Sequence, residues 1–392
     1  MMRMFPRTTP PAPDDALWMA RALELARQGA AHASPNPMVG AVVVRAGLAA
    51  GEGFHNYSDP RHAEIVALDA AGDGARGATL YVNLEPCCTT GRTGPCTKAI
   101  LAAGIRRVVA AMADPNFAVA GRGFDELRGQ GLEVAVGEAG ADARRLNEAF
   151  AAWIRTKRPF VTLKSAITLD GQAGLSARDK KTGKRGQPGD RAEHPDRWIS
   201  SAESRAEVQR MRHASDALLT GIGTVLADDP LLTDRTGLAR RRKLLRVVLD
   251  AELRLPPRSK LVQSAEGDVL VFTAAPEPSA RAKRLRAAGV EIVRVAARRG
   301  RLNLRAVLDE LGRRKILSAM LEAGPTLNQS ALEAGIVDKM RLFVAPRFAG
   351  RAPRLPAFGK WSAAQPLTDI AVHQIGPDAS IEGYLHDVYR DH

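Results

Sequence analysis

The tightest constraint on this chain is the placement of its three cysteines, Cys87, Cys88 and Cys96, within ten positions of a 392-residue sequence. A disulfide framework spreads its cysteines to tie distant segments together, so a cluster of this kind points to an intracellular metal or catalytic site. Two of the cysteines follow prolines, in Pro86-Cys87 and Pro95-Cys96, and the triplet His62-Ala63-Glu64 lies upstream. Pro86-Cys87 closes a strand pattern, whereas His62 and Cys96 open helical ones. Any fold of this region must bring one strand end and two helix starts to one place. Both helix starts are electropositive, which favours the thiolate that a metal needs.

Strand and helix patterns alternate along the whole chain. Pro13-Asp14-Asp15 reads as a helix start with carboxylates at the positive end of the dipole, and Gly29 ends that helix. Strands are expected at Val39–Val44, Thr79–Leu84, Arg107–Met112 and Leu132–Val136, with helices at Ala63–Ala71, Cys96–Ala103 and Gly123–Gly129. A helix over Asn147–Arg158 stops before Pro159, which marks a boundary. The pattern then restarts. Strands are expected at Phe160–Ile167, Ala217–Thr220, Leu245–Asp250, Val269–Thr273, Glu291–Val295, Ile316–Glu322 and Arg341–Val344. Helices fit Ser204–Arg212, Ser279–Ala288, Leu304–Arg313 and Thr326–Ala334. The chain therefore reads as two α/β domains, residues 14–152 and 158–392. Residues 1–13, rich in Pro and Thr, read as a disordered start. Residues 178–197 carry seven Lys/Arg, four Asp/Glu, three Gly and two Pro without an apolar period, and read as a long polar loop.

One His and two Cys give zinc three protein ligands and leave the fourth position to water, the catalytic arrangement. The metal brings that water's pKa toward neutrality. Glu64, two residues past the histidine, is placed to take the water's proton and hand it to a leaving amine. H-x-E followed by P-C is the signature of zinc deaminases. Taken singly, each of these residues is ordinary; their joint order at strand and helix ends is not. Cys88 reads as a lining residue, not a fourth ligand.

The net charge of +14 raises the question of nucleic acid, but aromatic residues make up only 5% of the chain, too few for base-stacking platforms. The basic residues look scattered, with runs at Lys180–Arg185 and Arg240–Lys243. No apolar run is long enough to span a bilayer. A cytoplasmic location is expected. Eight residues separate Cys87 from Cys96, whereas nucleic-acid editors use C-x-x-C. The loop between them should shape a particular substrate pocket, and neither nucleic acid nor membrane is expected as partner.

At this point the sequence resembles the bifunctional deaminase–reductase family of riboflavin biosynthesis, from about Asp15 to Asp387. In the first domain the likeness rests on Ser34-Pro35-Asn36-Pro37-Met38-Val39-Gly40, Gly51-Glu52-Gly53-Phe54-His55, His62-Ala63-Glu64, Leu84-Glu85-Pro86-Cys87, Gly91-Arg92-Thr93, Pro95-Cys96 and Asp114-Pro115-Asn116. It implies a cytidine-deaminase-like α/β/α layered domain with one zinc on His62, Cys87 and Cys96, Glu64 as proton shuttle, and Asn36 and His55 in the pocket. Thr89 stands where the family usually has His, and Phe117 where it has Pro.

In the second domain the residues alone show two glycine-bearing turns after apolar strands, Gly221-Ile222-Gly223-Thr224 and Glu322-Ala323-Gly324-Pro325-Thr326. Glycines admit a phosphate close to the backbone, and a helix start attracts it. Each could equally be an ordinary strand-to-helix turn. The resemblance continues through Leu163-Lys164-Ser165-Ala166, Leu169-Asp170-Gly171, Trp198-Ile199-Ser200, Arg212, Asp216-Ala217 and Ala227-Asp228-Asp229-Pro230. It implies a dihydrofolate-reductase-like α/β fold, with NADPH held by Ala166, Trp198, Thr224, Asp228 and residues 324–330, including Gly324, Pro325 and Thr326. Arg212, Leu232, Arg235 and Glu322 would contact substrate, the arginines its phosphate. Asp228 is the candidate for acid–base or positioning work. A homo-oligomer is implied as well. Ala323 occupies a usual glycine position and Asp196 a usual serine position. These two departures leave a second alternative, a zinc deaminase with a degraded reductase domain; the charge leaves a third, a nucleic-acid deaminase.

Overall fold

The computed structural model describes residues 12–173, 198–276, 279–349, 355–359 and 365–389. The polar segment 178–197 and all but two residues of the expected disordered start lie outside these. Backbone contacts divide the chain into two compact units, Met1–Lys157 with Arg240–Arg242 and Val388–His392, and Arg158–Ala239 with Lys243–Asp387.

In the first unit the elements are α1 (Asp15–Arg27), β1 (Gly40–Arg45), β2 (Leu48–Phe54), α2 (Ala63–Ala71), β3 (Thr79–Val82), α3 (Cys96–Ala102), β4 (Arg107–Ala110), α4 (Arg122–Gly129), β5 (Glu133–Val136), α5 (Gly140–Leu146) and α6 (Glu148–Thr156). The sheet order is β2-β1-β3-β4-β5, with β1 antiparallel to its neighbours and β3, β4 and β5 parallel. Strand β2 and helix α5 have no counterpart in the sequence expectations. The sequence of β2, LAAGEGF, has no β-branched residue, and its glycines read as loop. Their reason is steric. A Cβ on Gly51 would lie 2.2 Å from the Ala67 carbonyl oxygen, and one on Gly53 2.6 Å from that of Ala63. Helix α2 thus rests on β2 backbone to backbone.

The carboxylates at the start of α1 do something other than cap it. Asp14 makes no side-chain cap bond. Asp15 is buried and accepts the Ala12 N–H (2.8 Å), the Tyr81 hydroxyl (2.9 Å) and both terminal nitrogens of Arg107 (2.7 and 2.8 Å). Arg107 Nε reaches Glu133 at 2.8 Å. The pair therefore ties α1 across β3, β4 and β5.

The second unit contains β6 (Phe160–Thr168), α7 (Ala202–Ala214), β7 (Ala217–Gly221), α8 (Ile222–Asp228), β8 (Leu245–Leu249), α9 (Lys260–Gln263), β9 (Val269–Thr273), α10 (Ala280–Ala287), β10 (Val290–Arg294), β11 (Ala297–Arg298), β12 (Arg301–Leu302), α11 (Leu304–Arg313), β13 (Ser318–Leu321), α12 (Pro325–Glu333), β14 (Lys339–Ala345), β15 (Thr368–Ile375) and β16 (Asp378–Tyr384). Its large sheet runs β10-β9-β8-β7-β13-β6-β14-β16-β15, parallel from β10 to β14 and antiparallel at β16 and β15. The inner strands are mostly apolar because both faces are covered. Leu219, Phe272 and Leu321 pack with Val307 and Leu311 of α11 and Leu332 of α12. Leu218, Val248 and Val271 pack on the other face with Val208 of α7, Leu261 of α9 and Leu285 of α10. Strand β15 escapes the sequence expectations because this edge is mostly exposed, with Ile370 and Val372 facing solvent, and β16, DASIEGY, because it is short of β-branched and aromatic residues.

At the opposite edge, β10 pairs only with β9 among the described residues. Residues 281–315, which surround this edge, hold twelve Lys/Arg against three Asp/Glu. Lys283, Arg284, Arg294, Arg298 and Arg299 are exposed. The positive charge is thus concentrated here and not only in the two runs conspicuous in the sequence.

Burial alone would raise the Asp15 carboxyl, but the Arg107 guanidinium, the Ala12 N–H and the Tyr81 hydroxyl more than offset it, and its pKa is lowered. The stability this supplies is complete above the free Asp value of about 3.9 and fades as pH falls through the lower folded value. Asp15→Asn, which leaves Arg107 buried against a neutral amide, is expected to cost about 3–5 kcal/mol at pH 7, and less as the pH falls below the free Asp value. Urea denaturation of both proteins across that range checks it.

Candidate active site

His62 is the N-cap of α2, Cys96 the first residue of α3, and Cys87 sits on the turn after β3. The ligand atoms of these three residues all lie within 4.8 Å of one another, the one such group among the described residues. His62 Nδ1 is 3.5 Å from Cys87 Sγ and 3.3 Å from Cys96 Sγ. The Cys96 backbone N–H donates to Cys87 Sγ at 3.4 Å. Cys87 is pushed down to about 4, first because the Cys96 thiol donates to it and then because His62 and the Cys96 N–H do; Cys96 is correspondingly pushed up. Two sulfurs and an imidazole nitrogen at this separation are a donor set that suits zinc. Cys88, whose thiol burial pushes up, lies outside the group.

Glu64 lies in the first turn of α2, 3% exposed, and burial pushes its carboxyl up. His55 stacks edge-on against His62, ring centroids 5.6 Å apart. Asn36 Nδ2 is 3.0 Å from His55 Nε2, and His55 Nδ1 is 3.1 Å from the Arg61 carbonyl. The amide therefore donates to Nε2 while Nδ1–H donates to the carbonyl, which fixes one neutral tautomer. Burial, the largest influence, also holds the imidazole pKa down. In the cysteine loop, Arg92 lies over the Tyr57 ring at 4.7 Å and donates to the Tyr57 carbonyl at 3.0 Å. Thr89 is exposed, and Phe117 carries Arg155 over its ring at 4.2 Å.

Glu85 was visible in the sequence only as part of a motif, without a role. Its buried carboxylate accepts the backbone N–H groups of Asp114 (3.0 Å), Gly121 (2.8 Å) and Gly123 (2.8 Å). A Cβ on Gly123 would come 2.2 Å from the Pro86 carbonyl. The start of α4 is thereby fitted against the turn that presents Cys87. Burial likewise raises Asp114, to about 6.

In the second unit both glycine turns leave adjacent parallel strands, β7 and β13, at their carboxyl ends, where open α/β sheets hold ligands. They face each other: a Cβ on Gly324 would lie 3.8 Å from Thr224 Oγ1. Nothing lies within 4 Å of a Cβ on Gly223, so that turn borders open space. Gly324 caps α12, Pro325 is its first residue and Thr326 its second. The Ala323 methyl packs against the core cluster beneath the sheet. Ala166 is partly buried on β6; Trp198 is half-exposed with Arg205 over its ring at 5.2 Å; Asp228 is exposed at the end of α8.

Glu322 is joined by Arg212, at 3.1 Å from Nε and 2.8 Å from Nη2, and by Lys164 at 3.4 Å. Burial pushes the Glu322 carboxyl up, yet the two cations pull it down to about 2. Arg212 also donates to the Thr233 carbonyl at 3.0 Å. The sequence patterns assign no role to Lys164, which the structure brings to Glu322, although a lysine inside the apolar run of β6 is an available signal. Leu232 is buried in the left-handed region, φ 57°, and Arg235 is exposed beyond it. Asp196 lies outside the described residues.

Comparison with known proteins agrees with both units. Residues 13–112 match the cytidine and deoxycytidylate deaminase zinc-binding region, and residues 159–381 match the RibD C-terminal domain. Fused in one chain, a zinc-binding deaminase region and this C-terminal domain define a two-part enzyme class. Riboflavin biosynthesis protein RibD of Aquifex aeolicus is 38% identical over 90% of this chain and 93% of its own length; that of Escherichia coli is 37% identical over 94% and 98%. Acinetobacter baumannii RibD superposes with a TM-score of 0.78 at 34% identity, covering 95% of this chain and 98% of its own. A Thermotoga maritima diaminohydroxyphosphoribosylaminopyrimidine deaminase/5-amino-6-(5-phosphoribosylamino)uracil reductase gives 0.78 at 32%, covering 94% and 98%. The chain belongs to the RibD family.

The ligand set predicts one zinc per chain. Cys96→Ser should abolish stoichiometric zinc by elemental analysis and lower deamination at least 100-fold, while leaving reduction by the second unit intact.

Proposed function

We propose that the chain performs two consecutive reactions of riboflavin biosynthesis. Residues 14–152 hydrolytically deaminate 2,5-diamino-6-ribosylamino-4(3H)-pyrimidinone 5′-phosphate. Residues 158–392 then reduce the ribosyl group of 5-amino-6-(5-phosphoribosylamino)uracil to ribityl with NADPH. The observation that carries this is the convergence of His62, Cys87 and Cys96 within 4.8 Å beside buried Glu64, in a chain that also holds the RibD C-terminal domain.

A zinc ion held by His62, Cys87 and Cys96 would supply an acidified water. Glu64 accepts a proton there and returns it to the departing amine, which leaves as ammonia. Asn36 uses one amide hydrogen on His55. Its other hydrogen and its oxygen remain to orient the pyrimidine edge. In the second unit the paired glycine turns offer backbone N–H groups to the dinucleotide, with Thr224, Gly324, Pro325 and Thr326 around it and Ala166, Trp198 and Asp228 contributing. Held there, NADPH would supply the hydride that the sugar carbonyl needs. Arg212 is engaged by Glu322 and the Thr233 carbonyl, so Arg235 is the cation left to hold the phosphate, with Leu232 beside it. Asp228 keeps its candidacy for proton transfer or positioning. The enzyme acts on a small phosphorylated pyrimidine, in the cytoplasm, as a homo-oligomer; no helix among the described residues is long and apolar enough to cross a membrane.

Incubation of the diamino substrate with and without NADPH, with products identified by mass, tests the proposal. The deaminated compound should accumulate without NADPH and its ribityl product with it. Glu64→Gln should lower deamination by about 100-fold or more with zinc content unchanged, and still reduce supplied deaminated intermediate. Absence of NADPH oxidation with that intermediate would favour a degraded second domain, and deamination of RNA a polynucleotide substrate.

A further inference from the structure

The loop that follows α8 adopts a costly conformation. Asp229 (φ 41°) and Leu232 (φ 57°) both occupy the left-handed region, which is unfavourable for residues with a side chain. Such backbone persists only where its surroundings over-determine it. Asp229 is held by the Lys260 N–H on its Oδ1 at 2.9 Å and the Leu231 carbonyl by Arg246 at 3.0 Å, whereas residues 233–235 are held by one face of α7. Gln209, Arg212 and His213 fall at positions i, i+3 and i+4, which share a helix face. Gln209 Oε1 accepts the Arg235 backbone N–H at 2.9 Å. Arg212 Nη1 donates to the Thr233 carbonyl at 3.0 Å. His213 Nδ1 lies 2.9 Å from Asp234 Oδ2. The other oxygen of Asp234 accepts the Thr236 N–H (3.0 Å) and the Thr236 hydroxyl (2.8 Å). The His213 and Asp234 side chains are only 10% and 9% exposed, so the contact is shielded from water and strengthened by it.

We propose that His213 and Asp234 are positioning residues of the reduction step: they clamp the 233–236 strap to α7 and so hold Arg235 where it receives the substrate phosphate. Neither touches the reacting atoms. Each is the sequence neighbour of an arginine: His213 follows Arg212, which is locked to Glu322, and Asp234 precedes Arg235, whose side chain points to no protein partner among the described residues. The helix thus fixes the strap from both sides of the charged cluster. This rests on the proposed reductase activity, and a pair of this kind acts on substrate affinity rather than on the hydride transfer itself.

The test is steady-state kinetics of the full chain with supplied deaminated intermediate and NADPH. His213→Ala and Asp234→Asn should each raise KM for the intermediate about tenfold. They should leave kcat and KM for NADPH within about twofold and the deamination rate unchanged, so that folding is monitored in the same molecule. His213→Asn places an amide N–H where Nδ1 stood and should restore most of the affinity; His213→Gln, whose donor lies further out, should not. Unchanged KM in His213→Ala, or equal KM in the Asn and Ala variants, overturns the clamp. A joint fall in kcat and NADPH affinity marks the pair as merely structural and also overturns it. A wild-type chain that turns over no intermediate removes the reductase proposal and this inference with it.

Discussion

The metal cluster depends on helix α2 lying on β2 with no side chain between them. Gly51 and Gly53 permit that approach, and any Cβ there would enter the space of the helix carbonyls of Ala67 and Ala63. The approach sets the height of the α2 start over the sheet, and with it the positions of His62 and Glu64. The third ligand segment is located by the same means. The carboxylate of Glu85 gathers three backbone N–H groups, and Gly123 lets α4 close on the Pro86 carbonyl. The position of the zinc site is therefore decided by main-chain contacts. Side-chain rotamers in the core, which fluctuate more, have little leverage on it.

The second unit solves a different problem by different means. Its substrate and cofactor carry several negative charges, yet the site keeps a carboxylate, Glu322, at the end of β13. That carboxylate stays ionised because Lys164 and Arg212 flank it. Removing either cation would leave a buried charge poorly compensated, so the three residues act as one unit. The glycine turns beside them place N–H groups and open space at the strand ends. The departure at Ala323 is accommodated inward, its methyl joining the core instead of the turn's open side.

Both halves of the fold were largely legible in the sequence, for reasons that differ by element. His62, Glu64, Cys87 and Cys96 could be read because zinc chemistry admits few residue types, in an order that survives any loop length. The inner strands β6 to β9, β13 and β14 announced themselves as apolar runs because both their faces are covered. Strand β2 could not be read, since the glycines that let α2 approach are the residues that ordinarily mark loops. Strand β15 was hidden by exposure on the outer edge, and β16 by a mixed composition with a single β-branched residue. Glu85 and Lys164 were present in recognised motifs, but their work consists of bonds to backbone groups and charges distant in sequence, Gly121 and Gly123 for one and Glu322 for the other. No local pattern encodes such partners. Asp15 misled for the opposite reason: its local context suggested a helix cap, while Arg107, far along the chain, claimed it.

The β10 end of the large sheet remains to be considered as a physical boundary. An open parallel edge is a template on which a second copy could extend the sheet, and repeated extension is the start of a fibre. Here a copy arriving at that edge would bring Lys283, Arg284, Arg294, Arg298 and Arg299 against their own equivalents. The repulsion acts over roughly 8 Å at physiological ionic strength and shrinks as salt rises. The arginine-rich rim thus behaves as an electrostatic bumper. It leaves the sheet's hydrogen-bonding edge intact and disfavours, in dilute salt, the joining of molecules through it.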